Sequence, residues 1–307
     1  MAGTLTSSRS SRPLSVIVVS FNGAELLRRC LESIAPQASA VNAEILVAAN
    51  WRDRGGAEGA FGAEFPYVKW IAVPDNATVP AMRQLGIASS SGKIVALIED
   101  DCIADPDWCR AILAAHRTPD VAIGGTVEPG PYRRALDWAV FFCEYGRFMP
   151  PLPERQTTDL AGNNLSYKRE ALAALPATAD GFVDFFVHRD WANAGRPTRA
   201  DASIRIQQVN SWGLRQVTSV PFHHGRGFAG NRFPTMKWPL RACFSGLALL
   251  LPLVAVVRLT RIVAGRRRFV GRLVQALPWI VVFASSWSVG EAAGYLGGPG
   301  DSLSRWR

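Results

Sequence analysis

Lys93-Ile-Val-Ala-Leu-Ile-Glu-Asp-Asp-Cys102 is the stretch on which the reading of this chain turns. The apolar run in it reads as a strand buried on both faces. It leads directly into three carboxylates, Glu99, Asp100 and Asp101. Adjacent like charges repel, and a divalent cation or a cationic partner offsets that cost. Hard oxygen ligands suit Mg²⁺ or Mn²⁺, which typically take one or two carboxylates together with substrate phosphates. A solvated acidic turn capping the next helix is the plainer reading, and the triplet alone does not decide between them.

Working outward, strands alternate with helices. Leu14 to Ser20 is a β-branched run, followed by a turn at Phe21-Asn-Gly23. Ala24 to Ala35 places Leu26, Leu27, Cys30, Leu31 and Ile34 at helical spacing, and Pro36 is expected to end it. Glu44–Ala49 and Val68–Val73 read as strands, Arg54–Gly62 as a Gly-rich loop and Val79–Ser89 as a helix. The alternation predicts a parallel sheet covered on both faces, with ligands bound beyond the carboxyl ends of its strands. The acidic triplet lies at one such end. Later, a helix is predicted from Pro106 to His116, a strand over Val121–Val127, and an aromatic-rich helix within Tyr132–Phe148. A strand follows over Leu160–Tyr167, then a helix from Lys168 to Leu175. Val217–Phe222 is read as a last strand, ending in His223-His224-Gly-Arg226.

The formal net charge is +9, and almost all of it is in the tail: from Lys237 to Arg307 there are ten Lys/Arg and two Asp/Glu. A nucleic-acid binder would carry its basic stripe on the folded domain, so nucleic acid is not an expected partner. A basic excess beside apolar runs points to anionic lipid headgroups. The apolar runs are Ala242–Val257, interrupted by Pro252, and Leu273–Val289. Both fall at or below the ~20 residues of a spanning helix. Six arginines lie between them, at 258, 261, 266, 267, 268 and 272. The positive-inside tendency opposes exporting these, so the first run is expected to be re-entrant or interfacial and bent near Pro252. Five cysteines without CxxC spacing fit a reducing compartment better than a disulfide framework or zinc site.

Taken together, Ser15-Val-Ile-Val-Val-Ser-Phe-Asn22, Arg83-Gln-Leu-Gly-Ile87 and the Gly92-Lys93 step into the acidic strand resemble the inverting family 2 glycosyltransferases. The order and spacing of these segments are those of that family, and the resemblance covers about Leu14 to Arg232. It implies an α/β GT-A fold, a Rossmann-like mixed sheet flanked by helices, followed here by C-terminal hydrophobic helices. It also implies a nucleotide-diphospho-sugar donor, a lipid-linked or glycan acceptor and a bound Mg²⁺ or Mn²⁺. The donor side would involve Ser20, Asn22, Asn50, Arg83, Glu99, Asp100, His224 and Arg226, with His223 left open as the alternative to His224. Asp101 with Glu99 would hold the metal. Asn163 and Asn164 of Gly162-Asn-Asn-Leu-Ser-Tyr-Lys-Arg169 would face the acceptor. Asp190, closing Gly181-Phe-Val-Asp-Phe-Phe-Val-His-Arg-Asp190, matches the family's catalytic base. Gly290-Glu-Ala-Ala-Gly-Tyr-Leu-Gly-Gly298 is similar to a closing motif of some membrane-attached members.

Two positions depart from the family pattern. Ala49 stands where an Asp usually contacts the base, with Asn50, Trp51 and Asp53 as substitutes, and Arg189 replaces a Glu beside Asp190. They motivate an alternative, a non-catalytic nucleotide-binding partner of a membrane assembly. A nucleotidyltransferase is disfavoured because no Gly-rich phosphate loop with a following Lys comes after the first strand. The expected organisation is a disordered start over 1–12, a catalytic domain over 13–235 and a membrane-associated helical segment over 236–307. The expected setting is the cytoplasmic face of the inner membrane. The tail lacks the Gln-x-x-Arg-Trp motif of polymerising synthases, which favours addition of a single sugar.

Overall fold

The computed structural model describes residues 12–49, 56–74, 77–175, 181–232 and 235–305. The strands are β1 (Leu14–Ser20), β2 (Glu44–Ala49), β3 (Val68–Ile71), β4 (Ile94–Glu99), β5 (Cys102–Ala104), β6 (Ala122–Pro129), β7 (Arg155–Gln156), β8 (Asn164–Lys168) and β9 (Thr198–Gln208). The first helices are α1 (Ala24–Ala40), α2 (Gly56–Phe61), α3 (Val79–Ser89), α4 (Trp108–Ala115), α5 (Ala135–Glu144), α6 (Arg169–Ala173) and α7 (Asp184–Asn193). Four more follow: α8 (Leu214–Gly230), α9 (Trp238–Ala248), α10 (Leu251–Arg266) and α11 (Val270–Gly297).

The strands form one sheet in the order β3-β2-β1-β4-β8-β6-β9-β5, with β7 pairing β9. β3, β2, β1 and β4 are mutually parallel. β8 enters antiparallel between β4 and β6, and β9 runs parallel to β6. The sheet is therefore mixed, with a parallel half carrying the acidic strand. Every residue of β1 is buried, as a strand covered on both faces requires. One face packs on α1 and α4 through residues such as Leu27, Ile34, Trp108 and Ile112. The other packs on α3 and α6 through Met82, Ala171 and Leu172. Thr78 caps α3 by accepting from the Ala81 amide, and Pro80 sits in its first turn, where no amide donor is needed.

Three expectations are corrected and one strand was missed. Arg54–Gly62 is not all loop, since α2 occupies Gly56–Phe61. Pro36 does not end α1, which runs on to Ala40. The Gln37 side chain spans the neighbourhood of the proline: it donates to the Ser33 carbonyl at 2.8 Å and to the Asp105 carbonyl at 3.1 Å, and accepts from the Cys109 amide. Val217–Phe222 is not a strand but lies within α8, because Val217 and Val220 are buried three residues apart on one helical face. The eleven-residue strand β9 went unrecognised between residues 198 and 208; its outer half alternates, with Ile204, Ile206 and Gln208 buried.

The C-terminal helices return to the sheet. Gly290 meets the Phe222 backbone, Gly294 the Arg226 carbonyl and Gly230 Pro299, so α8 and α11 run in the same direction in close contact. Ser288 donates to the Ala248 carbonyl and Ser245 to that of Ala292, so α9 runs against α11. α9 and α10 meet at a 56° bend. The junction between α10 and α11 is tied to the sheet side: Arg268 pairs with Glu128 at 2.9 Å, and Arg266 donates to the carbonyls of Gly146 and Arg147. α11 is long and apolar enough to cross a membrane, and the bent α9–α10 pair passes the same test as one broken segment.

Candidate active site

The three acidic residues after β4 have three different environments. Asp100 is fully buried and accepts from the Ser20 hydroxyl, the Phe21 and Asn22 amides and the Asn22 side chain, at 2.7–3.0 Å. Burial raises its pKa, and these hydrogen bonds oppose the rise. Asp100 therefore pins the loop after β1 over the strand ends. Glu99 faces Arg83, whose guanidinium donates to Glu99 Oε1 at 2.9 Å, to Asp184 Oδ1 at 3.1 Å and to the Gly162 carbonyl at 2.9 Å. Burial works against the Arg83 charge, but Asp184 and Glu99 outweigh it and its pKa is raised. Burial also raises the pKa of Glu99, against the attraction of Arg83.

Asp101 has no cationic partner among the described residues. Its carboxylate accepts from Gln208 Nε2 at 3.0 Å and from the Cys102 thiol. Tyr132 donates to Gln208 Oε1, which fixes the amide with its donor aimed at Asp101. Burial, then the charges of Glu99 and Asp100, push the Asp101 pKa up to about 7. Asn163, which lines the same cavity, has a buried side-chain carbonyl without a hydrogen-bond partner among the described residues.

These groups open into a cavity of about 560 Å³, a size suited to a small-molecule site. One wall carries Arg83, Glu99, Asp101, Asn163 and Asp184. The opposite wall is apolar and comes from the C-terminal helices: Leu251, Val254 and Leu259 of α10, and Phe283 and Trp287 of α11. His224 and Glu144 also line the cavity, His224 Nδ1 lying 3.8 Å from Glu144 Oε1.

Of the residues expected at the site, Asn22, Arg83, Glu99, Asp101, Asn163 and His224 line this cavity. Ser20 and Asp100 lie beneath it as loop anchors. Asn164 is a stitch inside the sheet, bonded to the Trp108 indole and to the carbonyls of Thr126 and Ile204. Arg226 donates to the Gly298 carbonyl and is occupied in joining α8 to the end of α11. His223 bonds Ser302, which leaves His224 as the cavity histidine of the pair. Asn50, with Trp51 and Asp53, lies outside the described residues.

Asp190 is not brought to the cavity. Its side chain is 66% exposed and within 3.5 Å of Arg189. Asp184, the first residue of the same helix, lines the cavity instead. Six residues at about 100° each put the two side chains on different faces of α7, so only one of them can reach the cavity. Asp184, Glu144, Gln208 and Asn210 are site residues that the sequence reading missed. The available signal was an Asp directly after Gly181-Phe-Val, where a helix opens.

The donor chemistry fits a hard divalent ion in part. Asp101, Glu99 and the Asn163 carbonyl offer oxygen ligands on one wall, and Asp101 lacks a counter-charge. Among the described residues no group of three or more His, Cys, Asp or Glu side chains is placed to hold a metal ion by itself.

The model of glycosyl transferase family 2 matches residues 15–175, just over half of the chain. The chain belongs to glycosyl transferase family 2. It is 31% identical over 109 residues to a glucosyl-dolichyl phosphate glucuronosyltransferase of Haloferax volcanii, covering 31% of this chain and 33% of that protein. It is 29% identical over 119 residues to the glycosyltransferase AglE of the same organism, covering 38% and 39%. The chain thus matches well under half the length of these curated relatives. Among solved structures, GalNAc-T7 crystallised with UDP, GalNAc and Mn²⁺ superposes with a TM-score of 0.51 at 14% identity, covering 66% of this chain and 44% of that one. That likeness shows the fold, a GT-A arrangement.

Proposed function

We propose that this glycosyltransferase moves a single sugar from a nucleotide-diphosphate donor to a lipid-linked or cell-envelope glycan acceptor at a membrane surface, with inversion. One observation carries the reading: a single cavity has the acidic strand end as one wall and apolar C-terminal helices as the other. The donor's diphosphate belongs on the acidic side, where Asp101 would hold a cation that offsets its charge, and a lipid-bearing acceptor belongs on the apolar side. The Haloferax glucuronosyltransferase is named for a dolichyl-phosphate-linked substrate, and GalNAc-T7 was crystallised with UDP and Mn²⁺; both agree with it.

Inversion needs one carboxylate to take the proton of the attacking hydroxyl. Asp184 fills that role in place of Asp190: Arg83 holds its Oδ1, and its Oδ2 faces the Gly162 side of the cavity. Asp101, with Glu99 and the Asn163 carbonyl beside it, would hold Mg²⁺ or Mn²⁺. When bound, such an ion neutralises charge developing on the departing diphosphate. Arg83 keeps Glu99 and Asp184 apart and oriented, Asn22 borders the donor, and His224 beside Glu144 offers a hydrogen bond in the cavity. The C-terminal helices present Leu240, Leu247, Leu250, Leu253, Val274 and Val281 outward, an apolar surface that would sit in lipid. The arginine junction between α10 and α11, folded against the sheet, would stay on the catalytic, cytoplasmic side.

The test is transfer from radiolabelled nucleotide sugars into the organic-soluble fraction of membranes carrying the full chain. Label should enter that fraction with one donor and a divalent ion, and EDTA should abolish it. Transfer only to a water-soluble acceptor would contradict the lipid-linked reading.

A further inference from the structure

A second pocket, of about 380 Å³, lies on the sheet-side end of α10. Arg147, Arg155, Arg258, Arg261 and Arg266 line it, over a floor that includes Phe148 and Ile262. Its one carboxylate, Asp159, is taken by Arg147 at 2.9 Å. Arg155, Arg258 and Arg261 have no acidic partner among the described residues. The Arg266 guanidinium is tethered by two main-chain carbonyls at 2.7 Å, so its charge stays at the pocket. Like charges gathered this way repel. An anion would relieve that repulsion.

We propose that this pocket takes the phosphate group of an anionic membrane lipid, and that it is a site separate from the one for sugar transfer. Guanidinium groups present planar pairs of donors that match phosphate oxygens. Leu253 and Val257, exposed on the preceding turns of α10, offer acyl chains a path away from the pocket. Arg147, Phe148 and Arg258 line both cavities, so a lipid held here would seat the mouth of the transfer cavity at the bilayer surface. The proposal rests on the membrane-surface reading given above.

Arg155 and Arg261 line only the second pocket, so Arg155→Gln, Arg261→Gln and the double variant leave the transfer cavity intact. The full detergent-purified chain would be titrated with vesicles of phosphatidylcholine alone and with added phosphatidylglycerol, with nucleotide binding as the control for folding. Each substitution should weaken binding to the anionic vesicles by about fivefold, the worth of one basic side chain near an anionic bilayer. Binding to phosphatidylcholine and to nucleotide should be unchanged. A double variant that keeps the full preference for anionic vesicles overturns the proposal. If no form of the chain binds vesicles, the membrane reading fails by itself. The pocket is then read by thermal shift with dihexanoyl phosphatidylglycerol and with inorganic phosphate. A shift with the short lipid, larger than with phosphate and lost in the double variant, supports a lipid-phosphate site. Equal shifts with both ligands would make it a phosphate site, and no shift would remove it.

Discussion

Three adjacent carboxylates do three different jobs because their side chains meet different partners. Asp100 organises the loop after β1, Glu99 is neutralised by Arg83, and Asp101 has only neutral donors. Its folded pKa of about 7 lies above the ordinary carboxylate value of 3.8. A raised folded pKa gives stability that is present below the unfolded value and lost as pH rises through the folded one. The metal-free protein should therefore lose stability between about pH 4 and pH 7, and a cation should restore it. Asp101→Asn should melt above the wild type at pH 8 without metal, with the gap closing towards pH 4, as followed by thermal denaturation. Because ion binding must displace that proton, Mn²⁺ affinity should fall by about tenfold between pH 8 and pH 6. For the base, Asp184→Asn should cost about 10²–10⁴ in kcat while nucleotide binding persists, whereas Asp190→Asn should change kcat less than about twofold, as expected of an exposed residue away from the site. Removing the charge of Arg83 is a separate matter: Arg83→Met leaves two carboxylates without their partner and should cost about 3–5 kcal/mol in unfolding free energy. The triplet and Arg83 were legible in sequence because their spacing to a strand end is local. The choice between Asp184 and Asp190 was not, since it depends on which face of α7 meets the cavity.

At the scale of elements, the parallel half of the sheet could be read closely, because buried strands and amphipathic helices have different periods. β1, β2 and α3 fall where the pattern put them. α8 did not, and the reason is tertiary. Thr218, Val217, Val220 and the interior Pro221 resemble a strand end by composition, but Gly225 and Gly230 let the α8 backbone approach α11 and its end closely. A side chain there has no room: a Cβ at Gly290 would sit 2.0 Å from the Phe222 carbonyl oxygen and one at Gly225 2.3 Å from that of Trp287. Alanine gains about 1 kcal/mol of helix propensity over glycine, yet overpacking typically costs about 1–3 kcal/mol and more where backbone must move. Gly290→Ala should therefore destabilise the protein, with a lower melting temperature in detergent, while Gly246→Ala, in open space, should be neutral or stabilising.

For the whole molecule, the sequence distinguished an acidic-strand enzyme core from a basic, apolar tail, but treated them as successive units. The structure makes them two walls of one cavity, because α10 and α11 fold back against α5 and α8 over the strand ends. Nothing local in the tail sequence announces that Leu259 or Trp287 would line the same cavity as Asp101. This geometry predicts that the tail is part of the active site. Trp287→Ala should raise KM for a lipid-bearing acceptor by at least about tenfold, in line with losing a buried aromatic contact, while leaving the affinity for the nucleotide within about twofold. Steady-state kinetics with varied acceptor and varied donor would separate the two.

The most direct test of the central claim is calorimetric titration of the detergent-solubilised full chain with UDP, GDP and dTDP, with and without Mn²⁺, on the wild type and on Asp101→Asn. The expected result is Mn²⁺-dependent binding of one nucleotide to the wild type, and its loss in a variant that remains folded. Metal-independent binding that survives Asp101→Asn, or no nucleotide binding by the folded wild type, would contradict it.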